Sequence, residues 1–235
     1  GCIFLPTEDG CDALAVATFP RITNWDMLCD AFRVLTKEPH NFQNVVLDSA
    51  DWTENIIKEQ VARDYNIESY DTNAKALSYG RGVRAVEEYW RRIVDTFDYL
   101  RNFRGMGVII LAHSQIKRFD DPTTEAYDRY QLDLMKDSAA VLNEWSDIIL
   151  FAHKPIVVVS EKVGISGAKK RGVGSEERVM YTSETPAFKA KSRWAIPSQL
   201  PLSYGVLMAE IEAAKERLRI ERAPAIVTAP IQKKT

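Results

Sequence analysis

A chain of 235 residues with 46% hydrophobic side chains is long enough to bury one substantial core, and its 31 Lys and Arg against 33 Asp and Glu leave a formal net charge of -2. That balance excludes a global polycation, so any nucleic acid would have to be held by a local cluster of Lys and Arg. No apolar run approaches the roughly 20 residues of a membrane-spanning helix, no signal-peptide pattern occurs, and the scattered cysteines Cys2, Cys11 and Cys29 fit neither a disulfide framework nor a closed zinc site, which points to a reducing cytoplasm.

Gly1 is not an initiator Met, and the apolar run Cys2 to Leu5 starts as though already inside a buried strand, so the chain is expected to be a piece of a longer protein. The run stops at Pro6, as a central strand does at its carboxyl end. Trp25, Leu28, Phe32 and Leu35 recur at helical spacing behind Asn24, a residue type that caps helices, and predict a helix to about Lys37. A second strand follows at 44–48. Ile56, Ile57 and Val61 mark another helix, and Val83, Val86, Trp90, Ile93, Phe97 and Leu100 mark a long amphipathic one. A third strand is expected at 107–112, a loop at 117–130, a helix at 132–145 and a fourth apolar strand at 147–152. This alternation predicts an α/β fold, a mostly parallel sheet covered by helices. After Pro155 the segments 156–159, 178–182 and 187–191 read as short strands joined by Gly- and Lys-rich turns, an antiparallel extension of the sheet. A last helix is expected near 205–219, so the expected organisation is a core over 1–202, a C-terminal helix over 203–220 and a loose tail over 221–235.

Open α/β sheets hold ligands beyond the carboxyl ends of their strands. The first strand runs into Thr7, Glu8 and Asp9, the second ends in Asp48 and Ser49, and the third leads to His113, Ser114 and Gln115. Nucleotide hydrolysis needs a carboxylate for the magnesium shell, a carboxylate to polarise the attacking water and a polar group that senses the terminal phosphate, and these strand ends could supply all three. The plainer reading of each is a helix cap, a surface charge or, for His113, a hydrogen-bonded core histidine.

The wording of these segments carries a resemblance. Cys2-Ile-Phe-Leu-Pro-Thr-Glu8, with Asp12 four residues on, resembles the RecA segment that leads to the catalytic glutamate; Val45-Val-Leu-Asp48-Ser49 resembles the RecA Walker B strand; Val108 to Lys117 resembles the strand whose Gln couples the terminal phosphate to the second DNA-binding loop. The run Leu111 to Pro122, with Tyr127-Asp-Arg-Tyr130 and Glu144-Trp-Ser-Asp147, is closer still to phage RecA-like ATPases associated with single-strand annealing. The resemblance reaches to about Leu202. It implies ATP and Mg2+ as cofactors, Glu8 and Gln115 as catalytic groups, Asp48 at the metal, and Ser49 and His113 at the nucleotide. Lys191 and Arg193 are similar to the Lys-x-Arg motif of RadA-type and hexameric helicase relatives, whose cations reach a neighbour's terminal phosphate. That would make the partner a second copy of this chain, in a ring or a filament. Without the resemblance the pair reads as a basic strand end facing solvent.

No G-x-x-x-x-G-K-[ST] motif occurs in the 235 residues. The basic stretch 164–174, with Gly167, Lys169, Lys170 and Arg171, has the composition of a phosphate loop but not its spacing, and reads as a hairpin tip. In the family the phosphate loop lies just upstream of the strand that opens this chain, so this piece alone is expected to bind nucleotide poorly.

By the same resemblance single-stranded DNA would meet two loops, 66–81 with Lys75 and Arg81 beside Tyr70 and Tyr79, and 117–136 with Lys117, Arg118, Phe119, Arg129 and Tyr130. Phosphate neutralisation and base stacking need that mixture, although Asp120, Asp121, Asp128 and Asp133 dilute the charge. Three functions stay open: a recombination ATPase on single-stranded DNA, working alone or with a single-strand-binding protein or annealase; a hexameric helicase motor; and an adaptor that kept the fold without turnover.

Overall fold

The computed structural model describes residues 1–11, 14–71, 74–163, 167–174 and 177–227. The chain divides into two compact units, one of residues 1–118 with 130–145 and one of residues 119–129 with 146–235.

The first unit is built on a four-stranded parallel sheet of β1 (Cys2–Pro6), β2 (Ala17–Thr18), β3 (Asn44–Asp48) and β4 (Gly107–Ile110), in the order β2-β1-β3-β4. In β3 the consecutive residues Val45, Val46 and Leu47 are all buried, so both of its faces are covered, as in a central parallel strand. Register runs Cys2 opposite Asn44 through to Pro6 opposite Asp48, and Asn44 opposite Gly107 through to Leu47 opposite Ile110. A Cβ at Gly107 would stand 2.3 Å from Asn44 Oδ1, so any larger residue there would need the Asn44 side chain to swing aside.

Helices flank this sheet: α1 (Trp25–Lys37), α2 (Ala50–Asp64), α3 (Arg81–Arg104) and α4 (Lys136–Trp145). The Asn24 side chain accepts from the Met27 amide at 3.0 Å and caps α1, as its residue type predicts. Helix α3 ends where Gly105 turns left-handed at φ 65° and closes its amide on the Leu100 carbonyl. The apolar stripes that were legible as periodicity meet in one core. Leu28 and Leu35 from α1, Ile57 and Val61 from α2, and Trp90, Ile93, Phe97 and Leu100 from α3 are buried together. Phe97 stands edge-on to Phe32 at 5.4 Å and stacks on Trp145 at 6.0 Å. The buried Glu54 carboxylate is fully engaged: it receives Trp90 Nε1 at 3.4 Å, the Met135 amide at 3.0 Å and Lys58 Nζ at 3.0 Å. Tyr89 of α3 donates to Asp64 of α2 at 2.6 Å; burial, with that carboxylate, pushes its hydroxyl up to about 12.

The stretch 117–130 differs from the expected loop. It contributes to two strands, β5 (Ser114–Phe119) and β6 (Tyr127–Leu132), which pair as a ribbon. Alternation along a strand, not helical periodicity, carries this segment: exposed and half-buried residues alternate from Ser114 to Phe119. The helix expected from Leu132 begins only at Lys136.

In the second unit the apolar run 147–152 is not a further parallel strand. It breaks into β7 (Ile148–Ile149) and β8 (Phe151–His153), each paired antiparallel with later segments. The remaining strands are β9 (Ile156–Val163), β10 (Gly167–Gly174), β11 (Val179–Tyr181), β12 (Lys191–Ser192) and β13 (Gln199–Pro201). They form a β13-β11-β8 sheet, a β7-β12 pair and a β9-β10 hairpin, all antiparallel, as the short strand-like segments after Pro155 predict. The basic stretch 164–174 lies on β10 from Gly167 onward, and residues 164–166 lie outside those described. Phe151, Tyr181 and Phe188 stack within 4.4–6.4 Å of one another. Helix α5 (Tyr204–Val227) buries Ile211 and Ala214 and runs past Glu221, where a tail was expected; residues 228–235 lie outside the described set.

Phe97 sits at the centre of the first unit's core, so Phe97→Ala should lower the unfolding free energy of that unit by about 3–5 kcal/mol, read as an earlier denaturant midpoint.

Candidate functional site

Three backbone hydrogen bonds tie the carboxyl ends of the first unit's strands. The Thr7 amide donates to the Asp48 carbonyl at 2.6 Å, the Leu111 amide to the Leu47 carbonyl at 2.9 Å, and the Ala50 amide to the Leu111 carbonyl at 2.8 Å. Thr7 adds side-chain bonds: its hydroxyl donates to the Ser49 carbonyl and accepts from the Ser49 amide, both at 2.9 Å. The Asp48–Ser49 peptide is cis. Thr53 Oγ1 donates to the same Ser49 carbonyl at 2.8 Å, fixing the turn from β3 into α2.

On this frame the side chains of Glu8, Asp48, Ser49, Asp51 and His113 converge. Burial pushes the Glu8 carboxyl above its usual range, Asp48 and Asp51 push it the same way, and His113 opposes them. His113 is held at two points by Asp51: its amide donates to Oδ1 at 3.1 Å and its ring Nδ1 lies 3.0 Å from Oδ2. Burial acts to raise Asp51, but the bonds from the His113 ring and amide hold it below the ordinary carboxylate value. An ionised carboxylate can only accept, so Nδ1 carries the proton and Nε2 is left to meet other groups. The Asp51 bond in turn raises His113. Cys11 points its thiol at Asp48 Oδ2 at 3.7 Å.

The Ser49 hydroxyl is buried and makes no hydrogen bond of good geometry, yet it stands close enough to Glu8 and Asp51 to lower both carboxyls. An orphaned buried hydroxyl among converging carboxyls fits a hydrated divalent cation with an anionic ligand, because a cation offsets both the burial and the acidic neighbours that raise Glu8. Asp48 and Ser49 would hold such a pair. Among the described residues no group of three or more His, Cys, Asp and Glu forms a metal cage, and magnesium keeps most of its waters and needs none.

Gln115, expected here as a sensor, donates to Asp133 at the base of the β5-β6 ribbon, and the Asp133 amide donates to the His113 carbonyl at 2.9 Å. Lys191 and Arg193 belong to the second unit, Lys191 on β12, while Arg193 pairs with Asp147 at 2.7 Å. Lys75 lies in the short 3-10 turn Lys75–Leu77, and Arg81 opens α3 with its Nε on the Ser78 carbonyl at 3.3 Å. In the ribbon Lys117 and Tyr130 are half-buried and Arg118 is exposed, while Arg129 packs over Phe119. Asp12 lies outside the described residues.

Sequence reading names Thr7 among the strand-end residues without giving it a role, and misses Asp51 and Asp133 as parts of the site. Asp51 stands in the first turn of α2, three residues after the strand-end Asp48, a place that could have marked it; Thr7 and Asp133 give no signal beyond their place in the chain.

The model of the AAA domain matches residues 1–194. The chain belongs to that family. No curated protein and no solved structure matches it. An AAA domain is a P-loop-type nucleotide-binding ATPase, and the strand-end constellation stands beyond the carboxyl ends of parallel strands, where open α/β sheets hold their ligands. No helix among the described residues is long and apolar enough to cross a membrane.

A folded-state value raised by a bond means that the bond's contribution to stability is fully present below the unfolded value and is lost as pH rises through the folded one. The His113 imidazole, followed by NMR, should therefore titrate above 6.5, and Asp51→Asn should bring its midpoint down.

Proposed function

We propose that this AAA ATPase hydrolyses ATP with Mg2+ as an oligomer on single-stranded DNA, in recombination or repair. The observation that carries the reading is the convergence of Glu8, Asp48, Ser49 and His113 at the ends of adjacent parallel strands. Magnesium would supply charge neutralisation on the phosphates, with Asp48 holding its water shell. Glu8 acts as the base for the attacking water: its raised value makes it a better proton acceptor than an ordinary carboxylate. His113, fixed by Asp51, offers Nε2 toward the phosphate side, and Gln115 links that end of β4 to the ribbon through Asp133.

The ribbon supports the nucleic-acid part of the reading, since Lys117, Arg118, Phe119, Arg129 and Tyr130 lie on two adjacent strands. Lys75 and Arg81 would add phosphate contacts from the other segment. Lys191 and Arg193 serve the site of a neighbouring copy. Arg193 keeps a side chain about 60% exposed despite its bond to Asp147, so it can exchange that partner for a phosphate.

Steady-state ATP hydrolysis by the full-length protein should rise when single-stranded DNA is added. Glu8→Gln should lower kcat by roughly 100-fold or more, the usual worth of a general base. Lys191→Ala should abolish turnover, yet mixing Glu8→Gln and Lys191→Ala subunits should restore part of it if the Lys belongs to a neighbour's site. Absence of hydrolysis in a nucleotide-bound wild type would leave the adaptor function, and ATP-driven strand separation would favour the helicase.

A further inference from the structure

A cleft of about 430 Å³ opens in the second unit between the ribbon tip and the segment before Phe188, lined by Phe119, Asp121, Tyr127, Arg129, Glu184, Thr185 and Pro186. Its volume falls in the about 300–1,000 Å³ range of small-ligand sites. Arg129 is its centre. The side chain is only 10% exposed, its guanidinium lies over the Phe119 ring at 5.2 Å, and one terminal nitrogen is bonded to Glu184 and to the Thr185 carbonyl. These contacts lock the guanidinium plane but leave Nε buried with no acceptor. Thr185 Oγ1, on the facing segment, is also buried and without a partner. Two unpaired buried groups lining one cleft mark a place for a ligand that brings hydrogen-bonding atoms of its own, because each orphan left unmet costs stability.

The charges decide what kind of ligand. Arg129 is matched by Glu184, and Asp121, held below the usual carboxylate range by the Thr123 hydroxyl and amide, adds a second negative charge. A phosphate would meet two carboxylates for one guanidinium that is already paired. A neutral planar group with both acceptors and donors meets no such penalty: a ring carbonyl or ring nitrogen can take the Arg129 Nε–H and the Thr185 hydroxyl, while a ring or exocyclic N–H gives to a carboxylate. The tilted Phe119 and Tyr127 rings, 5.5 Å apart, and Pro186 provide the flat apolar walls.

We propose that this cleft takes one unstacked base of a single-stranded nucleic acid, with Arg129 and Thr185 reading an acceptor edge and Glu184 holding Arg129 in place. The inference rests on the single-strand reading above. It adds that the contact is to a base and not only to the backbone, and that the segment carrying Glu184 and Thr185 takes part in it.

The test is equilibrium binding of fluorescein-labelled oligothymidylate to the full-length protein, beside a strand of the same length whose bases are replaced by abasic sites. The intact strand should bind tighter by roughly tenfold or more, the order of the worth of one stacked base. Arg129→Lys, which keeps the charge but not the Nε–H, and Thr185→Val should each weaken the intact strand and leave the abasic one unchanged. Equal binding of the two strands by wild type, or equal losses on both in the variants, would make the contact a backbone one and overturn the base pocket while leaving single-strand binding standing. If neither strand binds, the single-strand reading itself fails and the pocket with it. The comparison of strands uses only the unaltered protein, so it decides the matter even if a variant folds poorly.

Discussion

Parallel pairing of β1, β3 and β4 fixes where each strand-end group stands. Because Pro6 lies opposite Asp48 and Leu47 opposite Ile110, the residues that follow each strand emerge side by side. A slip of one residue would turn every side chain to the other face of the sheet, exchanging Val45 and Leu47 with Val46 between two differently packed covered faces and moving Asp48 with them. The core therefore enforces the site. Thr7 adds a second lock, since its amide and hydroxyl hold the Asp48–Ser49 turn from the neighbouring strand, and replacing it would loosen both strand ends together.

Within that frame the carboxyls at one strand-end cluster are kept distinct by their surroundings. Asp51 is tied to the His113 ring and amide and stays ionised, whereas Glu8 lacks such a clamp and is raised by burial and by its acidic neighbours. Groups whose environments push them apart can take different roles, one as a fixed anion that orients an imidazole and one as a proton acceptor. The same contrast explains His113. Its side chain is about 60% exposed, which alone would leave it close to its ordinary behaviour, but the two-point bond to Asp51 orients the ring and favours its charged form.

How much was legible in the sequence follows from the range of the interactions involved. The periodic stripes of α1, α2 and α3 and the short apolar runs of β1, β3 and β4 are local patterns, and they stand where the spacing put them. Asn24 is a cap for the same local reason. Residues 117–130 were misread because a two-stranded ribbon with polar residues on both strands lacks an apolar alternation to reveal it. The run 147–152 was misread for the opposite reason: it is apolar enough for a buried parallel strand, and only its later partners, Met180 opposite Ala152 and Lys191 opposite Ile149, make it antiparallel. At the site, Glu8, Asp48 and His113 were legible because strand ends are the positions to inspect. Asp51 was not, because its meaning lies in a bond to a residue 62 positions away.

The distribution of unmet polar groups separates packing from function more sharply than charge does. This fold satisfies difficult buried groups where only structure is at stake: Glu54 receives three donors, and Thr53 and Thr7 both find the Ser49 carbonyl. Among the described residues just four buried side-chain atoms lack a partner, His40 Nδ1, Ser49 Oγ, Arg129 Nε and Thr185 Oγ1. His40 uses its other ring nitrogen on the Leu35 carbonyl at 2.9 Å and stands apart from the rest. The remaining three fall in two places, the strand-end cluster of the first unit and the cleft of the second. A chain able to pair Glu54 three times over could have paired a serine and a threonine hydroxyl with a single neighbouring carbonyl each. Leaving them open costs stability, and a ligand carrying the missing atoms would offset that cost.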